Sequence, residues 1–286
     1  MTQPYRITGT TRVAAVWGYP VAHSASPAMH NAAFAAIGYD AVYIACKVAP
    51  ERIGDAVSAV RALDFLGANV TVPLKELVIP HLDTVSDAAK AIGAVNTIVN
   101  RNGELWGDST DGAGFLAALN YAGVVINADS RVVVLGAGGS ARAVVYALLE
   151  RGTHVVVANR NYNRARVMLR DFMHLPGSIT ITTFDEKGIG IALTNGATAL
   201  VNTTSVGMSP NDAEMPPVPL AALSPETFVS DLIYKPRETK LLAAAIGRGC
   251  RTQNGAEMLV RQGAVAFEHW TGVVAPVDVM REAAFG

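Results

Sequence analysis

The sequence predicts an α/β protein with two domains, the second of which contains a doubly wound parallel sheet. Short aliphatic runs alternate with helical patterns from about residue 13 to residue 270, as in layered α/β folds. The 286 residues exceed the size of one ordinary core, while 50% of them are hydrophobic and only 16% are charged. Two domains with sizeable interiors are therefore expected.

The first region begins with alternating strands and helices. Aliphatic runs predict three strands, at Val13–Trp17, Val42–Cys46 and Leu66–Val72. Ser26 and Pro27 predict the N-cap and first turn of a helix that Gly38 ends. Apolar spacing predicts two further helices, one around Ile53, Val57 and Val60 and one near Val85–Ile92.

A β-hairpin is predicted next. Val95–Val99 and Glu104–Trp106 flank the turn Asn100-Arg101-Asn102-Gly103, and Asn-Gly between two apolar runs is typical of hairpins. We expect this hairpin at the edge of the first α/β layer.

The second region has the element order of a doubly wound sheet. A helix is predicted near Gly112–Ala122, and the aliphatic run in Arg131–Leu135 is typical of a central parallel strand. Four further strands are predicted: His154–Ala158, Ile179–Thr183, Ala199–Asn202 and Phe228–Ile233. The proline-rich stretch Ser209–Pro219 is interpreted as a surface loop, and Glu257–Trp270 as a long final helix.

Composition disfavours several functional classes. The formal net charge of −1 gives no basic field that would recruit nucleic acid or an acidic membrane. No apolar run is long enough to span a bilayer, and residues 1–11 lack the apolar core of a signal peptide. Cys46 and Cys250 have neither disulfide nor metal-ligand spacing, so we expect two small buried hydrophobes. These features predict a cytoplasmic protein without a metal site.

A glycine-rich segment follows the strand Arg131–Leu135 and precedes a helical run. Its residues are Gly136, Ala137, Gly138, Gly139, Ser140 and Ala141. Glycine permits a sharp turn and close approach to a pyrophosphate, and the helix N-terminus offers N–H groups to its charge. Ala141 stands at the third position of the usual spacing, where a small side chain suffices. The position between strand and helix predicts a dinucleotide site.

The end of the next strand indicates which dinucleotide binds. NAD sites place Asp or Glu there to bind the ribose 2′-hydroxyl. Here the strand is followed by Asn159, Arg160 and Asn161, and then by Arg164. A carboxylate would repel a 2′-phosphate, whereas guanidinium groups pair with it. The segment favours NADP, the alternative being that both arginines form only a solvated helix face.

Polar residues interrupt the apolar pattern of the first region. They are His23, Ser24, Ser26, Asn69, Thr71, Lys75, Asn96, Thr97 and Asp111. Taken singly they have structural interpretations, since Ser26 and Asp111 can cap helices and Lys75 can lie at the surface. Taken together they offer hydroxyls, amides, a cation and a carboxylate suited to a small polyol acid.

Several motifs follow one another in a fixed order. They are Gly18-Tyr19-Pro20, His23 through Pro27 with His30-Asn31, Gly67 through Lys75, Gly93 through Thr97, Asn202 through Met208, Asp231 through Pro236, and Asn254-Gly255 through Gln262. In this order they resemble the shikimate dehydrogenase family, which includes shikimate and quinate dehydrogenases. The resemblance runs from about Val13 to Trp270.

The resemblance implies an activity and a set of site residues. The activity is reversible, NADPH-dependent reduction of 3-dehydroshikimate to shikimate, on the route to chorismate and the aromatic amino acids. Lys75 and Asp111 would be the catalytic pair, and Ser24 and Ser26 would bind the substrate carboxylate. Further substrate contacts would come from Thr71, Asn96, Tyr234 and Gln262. Besides the glycine-rich segment, cofactor contacts would come from Asn159, Arg160, Arg164, Thr203, Met208 and Gly255.

The resemblance also implies the domain organisation. Residues 1–111 and 256–286 would form the substrate-binding domain, to which the C-terminal helix returns, and residues 112–255 the Rossmann-type NADP domain. Two positions depart from the family pattern. Ser109 stands where Asn often precedes Thr-Asp, and Asn161 stands where Thr often follows the arginine of the cofactor loop.

Three alternatives remain open from the sequence. The first is a quinate/shikimate or aminoshikimate dehydrogenase paralogue that uses NAD or NADP. The second is another NADP enzyme, such as a methylenetetrahydrofolate dehydrogenase, that shares only the nucleotide domain. The third is a non-catalytic ligand sensor. The serine pair together with Lys75 and Asp111 disfavours the second, and the presence of both Lys75 and Asp111 disfavours the third. The expected partner is a small-molecule substrate, bound by a monomer or a homodimer.

Overall fold

The computed structural model describes residues 7–286, and its elements follow the predicted α/β order. The strands are β1 (Arg12–Gly18), β2 (Ala41–Lys47), β3 (Gly67–Val70), β4 (Thr84–Val85), β5 (Thr97–Arg101), β6 (Glu104–Asp108), β7 (Arg131–Leu135), β8 (His154–Ala158), β9 (Ser178–Thr182), β10 (Ala199–Asn202), β11 (Phe228–Asp231) and β12 (Thr252–Gln253). The α-helices are α1 (Ser26–Ile37), α2 (Ile53–Ala62), α3 (Asp87–Ile92), α4 (Asp111–Tyr121), α5 (Gly139–Leu149), α6 (Tyr162–Phe172), α7 (Glu186–Thr194), α8 (Lys240–Gly247), α9 (Ala256–Thr271) and α10 (Val277–Phe285). Within the described residues, no helix is long and apolar enough to cross a membrane.

The chain divides into two units inside helices α4 and α9. The first unit ends at Gly114 and resumes with Leu259–Gly286, and the second unit is Phe115–Met258. The C-terminal helix α10 thus belongs to the first unit.

The first unit contains a mixed sheet in the order β2-β1-β3-β5-β6-β4. Strand β1 pairs in parallel with β2 and β3, whereas β5 and β6 form an antiparallel hairpin. Arg101 pairs with Glu104, so Asn102 and Gly103 form the two-residue turn, both with positive φ. The predicted hairpin is confirmed. Its predicted edge position is wrong, because β4 pairs in parallel with β6 and takes the edge.

The core of the first unit lies on both faces of this sheet. Successive side chains of a strand point to opposite faces, so Ala14 and Val16 pack with helices α1, α9 and α10, while Ala15 and Trp17 pack with α2. Met280 of α10 is fully buried in the first of these clusters. The sequence predicted that Glu257–Trp270, which corresponds to α9, is the final helix. That prediction is wrong, because α10 follows α9 and completes the core.

Helix α1 begins differently from the prediction. Ser26 is its first helical residue, and Ala25 is the cap residue, with helical torsion angles and no side-chain cap. The predicted Ser26 N-cap is therefore wrong, because its hydroxyl is used in a hydrogen bond with Tyr43. Gly38 ends the helix in the left-handed region at φ 66°, as predicted.

Some predicted element ends shift by a few residues. Strand β3 stops at Val70 rather than residue 72, because the chain turns there and the N–H of Leu74 donates to the carbonyl of Thr71. Strand β11 stops at Asp231, whose carboxylate accepts the N–H of Ile233 in a tight turn. Cys46 is half-buried rather than buried, at the end of strand β2. Cys250 is buried as expected.

The second unit contains an all-parallel sheet in the order β12-β11-β10-β7-β8-β9. Its order reverses between β7 and β10, which is the topological switch point of a doubly wound sheet. On β7, Val132 and Val134 face helices α4, α5 and α6, while Val133 and Leu135 face α7 and α8. The predicted Rossmann-type fold is confirmed.

His30 is fully buried in the core of the first unit. Its ring stacks on Tyr43 with the centroids 4.3 Å apart, and the ring of Trp270 lies 5.3 Å away. Neither ring nitrogen has a hydrogen-bond partner among residues 7–286. Burial lowers the pKa of His30 from 6.5 to about 3, because the charged form would lose its hydration. His30 is therefore a neutral aromatic core residue.

We predict that His30 makes the free energy of unfolding depend on pH. The unfolded chain protonates this imidazole below about pH 6.5, whereas the folded chain does so only near pH 3. The unfolded state therefore binds more protons in this window. Stability falls as the pH drops, by up to about 1.4 kcal/mol per pH unit.

The variant His30→Phe tests this prediction. Phenylalanine keeps an aromatic ring in the stack and cannot titrate, so its stability should fall less steeply with acid. Denaturant unfolding between about pH 4 and pH 7 measures the two slopes. The exposed residue His174 provides the control variant His174→Phe. Equal slopes for wild type and His30→Phe would contradict the prediction.

Candidate active site

A buried ion pair joins Lys75, in the turn after β3, to Asp111, at the start of α4. Nζ of Lys75 bonds to Oδ2 of Asp111, and the two side chains are only 13% and 8% exposed. The carbonyl of Lys75 accepts the N–H of Val95 at 2.9 Å, which holds the turn in place. Burying two charges is costly, and the arrangement is stable only when further hydrogen bonds support the pair.

Asn96 provides that support. Its Nδ2 donates to Asp111 Oδ1 at 2.7 Å and to Gln262 Oε1 at 3.1 Å. Its Oδ1 accepts the N–H of Thr110 at 2.8 Å, and this contact determines which end of the amide faces the carboxylate. Gln262 lies on α9, and the absence of a side chain at Gly114 of α4 leaves room for its backbone. The fold thus unites four of the predicted site residues.

A second line of hydrogen bonds runs from Asn96 toward α1. Asn69 Nδ2 donates to the carbonyl of Asn96 at 3.2 Å and to Thr97 Oγ1 at 3.1 Å. The hydroxyl of Tyr43 donates to Asn69 Oδ1 at 2.7 Å, and Ser26 hydrogen-bonds to the same hydroxyl. Burial raises the pKa of Tyr43 well above its ordinary value of 10, although the bond from Ser26 opposes this rise. Tyr43 therefore remains a neutral donor.

The remaining predicted substrate residues lie outside these two lines. Ser24 is half-buried, and its hydroxyl accepts the N–H of Ser26 at 3.3 Å. Thr71 directs its methyl group at Gly18, where an added Cβ would lie 2.6 Å away. Tyr234 belongs to the second unit and follows strand β11.

Tyr43 and Thr110 are members of the network that the sequence did not predict. Tyr43 sits among aliphatic residues of β2, where an aromatic ring is ordinary. The usable signal was its hydroxyl, since a buried tyrosine hydroxyl generally requires a partner. Thr110 directly precedes Asp111 in the sequence, and nothing in its local pattern indicates that it bonds to Asn96.

The glycine-rich segment of the second unit is a tight turn between β7 and α5. Gly136 has φ 117°, and a Cβ there would collide with Thr203 Oγ1. That hydroxyl donates to the carbonyl of Leu135 at 2.6 Å, so the segments after β7 and β10 are joined. Gly138 has no atom within 4 Å of a Cβ position and precedes a helix start without a side-chain cap. The open space at the start of this helix fits a pyrophosphate.

The rest of this segment packs inward. The side chains of Ala137 and Ala141 are buried in the core cluster beneath α5, and Gly139 and Ser140 form the first turn of the helix. Small side chains therefore allow the helix to approach the sheet closely.

The loop after β8 presents two cationic side chains to solvent. Arg160 and Arg164 are exposed, and residues 159–164 include no acidic side chain. Asn159 Nδ2 donates to the carbonyl of Asn161 at 2.8 Å, and Asn161 Oδ1 accepts the N–H of Arg164 at 3.2 Å as the cap of α6. The departure at Asn161 thus has a structural role. The ordered loop and its charges fit a 2′-phosphate.

Two further predicted cofactor residues differ in their surroundings. Met208 is 40% exposed on the loop after β10. Gly255 is buried, and a Cβ there would collide with the carbonyl of Leu232. Its N–H donates to the carbonyl of Ile233 at 3.0 Å, so this glycine permits close backbone packing. Among residues 7–286, no three His, Cys, Asp or Glu side chains are grouped to hold a metal ion.

Three family profiles match the chain. "Shikimate dehydrogenase substrate binding domain" matches residues 16–98, "Shikimate / quinate 5-dehydrogenase" matches residues 122–214, and "Shikimate 5'-dehydrogenase C-terminal domain" matches residues 255–285. The shikimate dehydrogenase (NADP(+)) of Carboxydothermus hydrogenoformans is 44% identical over 278 residues, which cover 97% of this chain and 98% of that protein.

Solved structures show the same similarity. Shikimate 5-dehydrogenase from Listeria monocytogenes, in complex with shikimate and NAD, has a TM-score of 0.91 and 37% identity, covering 98% of each chain. Shikimate 5-dehydrogenase from Thermus thermophilus, in complex with NADP(H) and shikimate, has a TM-score of 0.86 and 38% identity. That match covers 96% of this chain and 98% of the other.

We predict that alanine destabilises the protein much more at Gly136 than at Gly138. Gly136→Ala should lower the free energy of unfolding by about 1–3 kcal/mol, because alanine is strained at this φ and its Cβ meets Thr203. Gly138→Ala should change it by less than about 1 kcal/mol, because φ is −85° and the space is open. Denaturant unfolding of both variants measures the difference. Equal losses would show that the turn tolerates a side chain at Gly136.

Proposed function

The chain belongs to the shikimate dehydrogenase family, and we propose that it reduces the ring ketone of 3-dehydroshikimate reversibly to shikimate with NADPH. The observation that carries this proposal is the buried pair of Lys75 and Asp111, bonded to Asn96 and through it to Gln262. These four residues are among the eight that the family resemblance assigns to catalysis and substrate. The reaction is an oxidoreduction at a CH–OH group, a step of the shikimate pathway.

Lys75 supplies the charge that the reduction requires. Negative charge develops on the ketone oxygen as the carbon is reduced, and an ammonium group stabilises that oxygen and donates a proton to it. Asp111 orients the ammonium and accepts a hydrogen bond from a neighbouring substrate hydroxyl. Asn96 donates from Nδ2 to Oδ1 of Asp111. The other carboxylate oxygen of Asp111, Oδ2, is therefore directed at the lysine.

Ser24 and Ser26 bind the substrate carboxylate at the start of α1. The cap residue Ala25 has no side-chain acceptor, and the partial positive charge at a helix N-terminus favours an anion. Thr71, Asn96, Tyr234 and Gln262 contact the carboxylate or the ring hydroxyls. This assignment makes the first unit the substrate-binding domain and the second unit the dinucleotide-binding domain.

NADPH, when bound, supplies the hydride for the reduction. Residues 136–141 would hold its pyrophosphate, and Arg160 and Arg164 would pair with the 2′-phosphate. Asn159, Thr203, Met208 and Gly255 complete the proposed cofactor set. The open space at Gly138 and the cationic loop after β8 support this assignment.

The remaining assignments concern localisation and partners. We propose that the enzyme is cytoplasmic and that its ligands are small molecules. We propose further that it is a monomer or a homodimer. The net charge of −1 supports the absence of a nucleic-acid partner. Light scattering of the purified protein determines the oligomeric state.

The test of the proposed function is turnover of shikimate and quinate, each with NADP and with NAD, followed by the absorbance of the reduced nicotinamide. Shikimate with NADP should give the highest kcat/KM. A preference for quinate or for NAD would favour a paralogue of the family. No turnover with any of the four combinations would favour a ligand sensor.

We predict that Lys75→Met lowers kcat by roughly 10²–10⁴-fold, because methionine keeps much of the stem and removes the acid. Lys90→Met is the matched control, since Lys90 lies in the same unit with a 63% exposed side chain. Lys75→Met also leaves Asp111 without its cation, so thermal unfolding is measured together with the kinetics. A folded Lys75→Met enzyme with wild-type kcat would exclude Lys75 as the proton donor.

We predict that Arg160→Ala weakens the use of NADP by about 1–3 kcal/mol in kcat/KM, because one charge-assisted contact is lost. Turnover with NAD should barely change, since NAD has no 2′-phosphate. Arg166→Ala is the control, because Arg166 is also exposed and lies on α6, which follows the loop that contains Arg160. Equal losses with both cofactors would exclude a 2′-phosphate role for Arg160.

A further inference from the structure

Asp231 is a fully buried carboxylate at the end of β11 in the second unit. It forms no ion pair with any Lys, Arg or His among residues 7–286. Its three donors are neutral: Asn202 Nδ2 at 3.1 Å, the N–H of Ile233 at 3.1 Å and Thr239 Oγ1 at 2.8 Å. Burial raises the pKa of Asp231, and its hydrogen bonds oppose that rise.

One of these donors connects Asp231 to the loop after β10. Asn202 and Asp231 are register partners at the carboxyl ends of two parallel strands, so their side chains meet. Asn202 Nδ2 also donates to the carbonyl of Val206 at 3.4 Å. Its Oδ1 accepts the N–H and the hydroxyl of Thr204 at 3.1 and 2.7 Å. Asn202 thus orders the segment that contains Thr203 and leads to Met208.

The other donors connect Asp231 to the loop after β11. The bond from Ile233 forms the turn directly before Tyr234. Thr239 is the N-cap of α8, where its hydroxyl accepts the N–H of Leu242 at 3.3 Å. Asp231 therefore holds both ends of the segment that contains Tyr234.

A buried carboxylate is a poor choice if packing alone is required, because its desolvation is costly and an apolar residue could fill the space. Asp231 accepts from both loops at once, which an apolar residue cannot do. We propose that Asp231 is a positioning residue that holds the segment Thr203–Met208 and the segment with Tyr234 in one fixed arrangement for turnover. This inference rests on the proposed function, which gives both segments their ligands.

Asp231→Asn tests the inference because it keeps the shape and removes one acceptor. The amide places an N–H group where one carboxylate oxygen stood, so residue 231 can no longer accept all three bonds. We expect kcat for shikimate oxidation to fall at least about tenfold. The Kd for NADP, measured by fluorescence titration without substrate, should change less than about threefold, because the contacts to pyrophosphate and 2′-phosphate come from other loops.

Asp185→Asn is the matched control. Asp185 lies in the same unit and also accepts one backbone N–H, from Gly188 at 2.7 Å, and one threonine hydroxyl, from Thr183 at 3.0 Å. It is exposed at the start of α7, away from both segments. Thermal unfolding of both variants records the stability loss of each. A purely structural Asp231 would give the same kcat in the two variants, which would overturn the inference.

A second pair of variants keeps the inference falsifiable if Asp231→Asn does not fold. Thr239→Ser retains the hydroxyl that Asp231 accepts, and Thr239→Val removes it. The serine variant should keep wild-type kcat, and the valine variant should lower it with little change in NADP affinity. Equal kcat values for the two folded variants would overturn the inference. A wild-type chain that does not turn over shikimate would instead overturn the proposed function, and this inference with it.

Discussion

The buried ion pair of Lys75 and Asp111 is the constraint that brings the polar residues of the first unit together. Two charges at 13% and 8% exposure are tolerated only when each has its partner and when the remaining acceptor sites are filled. That condition requires the turn after β3, the residue before β5, the start of α4 and one face of α9 to meet at one place. Asn96 satisfies it by donating to Asp111 and Gln262 while Thr110 holds its amide in orientation. The same arrangement fixes the positions of an ammonium and a carboxylate beside each other.

The second unit depends on a different constraint, which is the common direction of its strands. Parallel strands place their carboxyl ends at one edge, and the reversal of order between β7 and β10 opens a space there. Gly136 and Thr203 come into contact at this edge, so the turn requires glycine. Asn202 and Asp231 come into contact one strand further along. Residues far apart in sequence thus share a single edge, which is where a dinucleotide fits.

Sequence reasoning recovered the polar residues of the site more readily than their contacts. Lys75, Asp111 and Asn96 were noticed because a charge or an amide interrupts an apolar pattern, and the family resemblance supplied their roles. Tyr43 was missed, because a tyrosine in an aliphatic strand has an ordinary place in the core. Ser26 was interpreted as a helix cap from its position before Pro27. Its hydroxyl instead bonds to Tyr43 on strand β2, and local spacing contains no information about such a distant partner.

The sequence by itself determined the α/β class, the order of most strands and helices, and the family. These features follow from local periodicity, turn chemistry and motif order, all of which can be read along the chain. Only the tertiary structure decided which polar groups meet. It placed β4 rather than the hairpin at the sheet edge, added α10 to the core, and joined Asp231 to two loops. The physical reason is that hydrogen bonds and ion pairs between distant residues depend on strand register and helix packing, which no local pattern specifies.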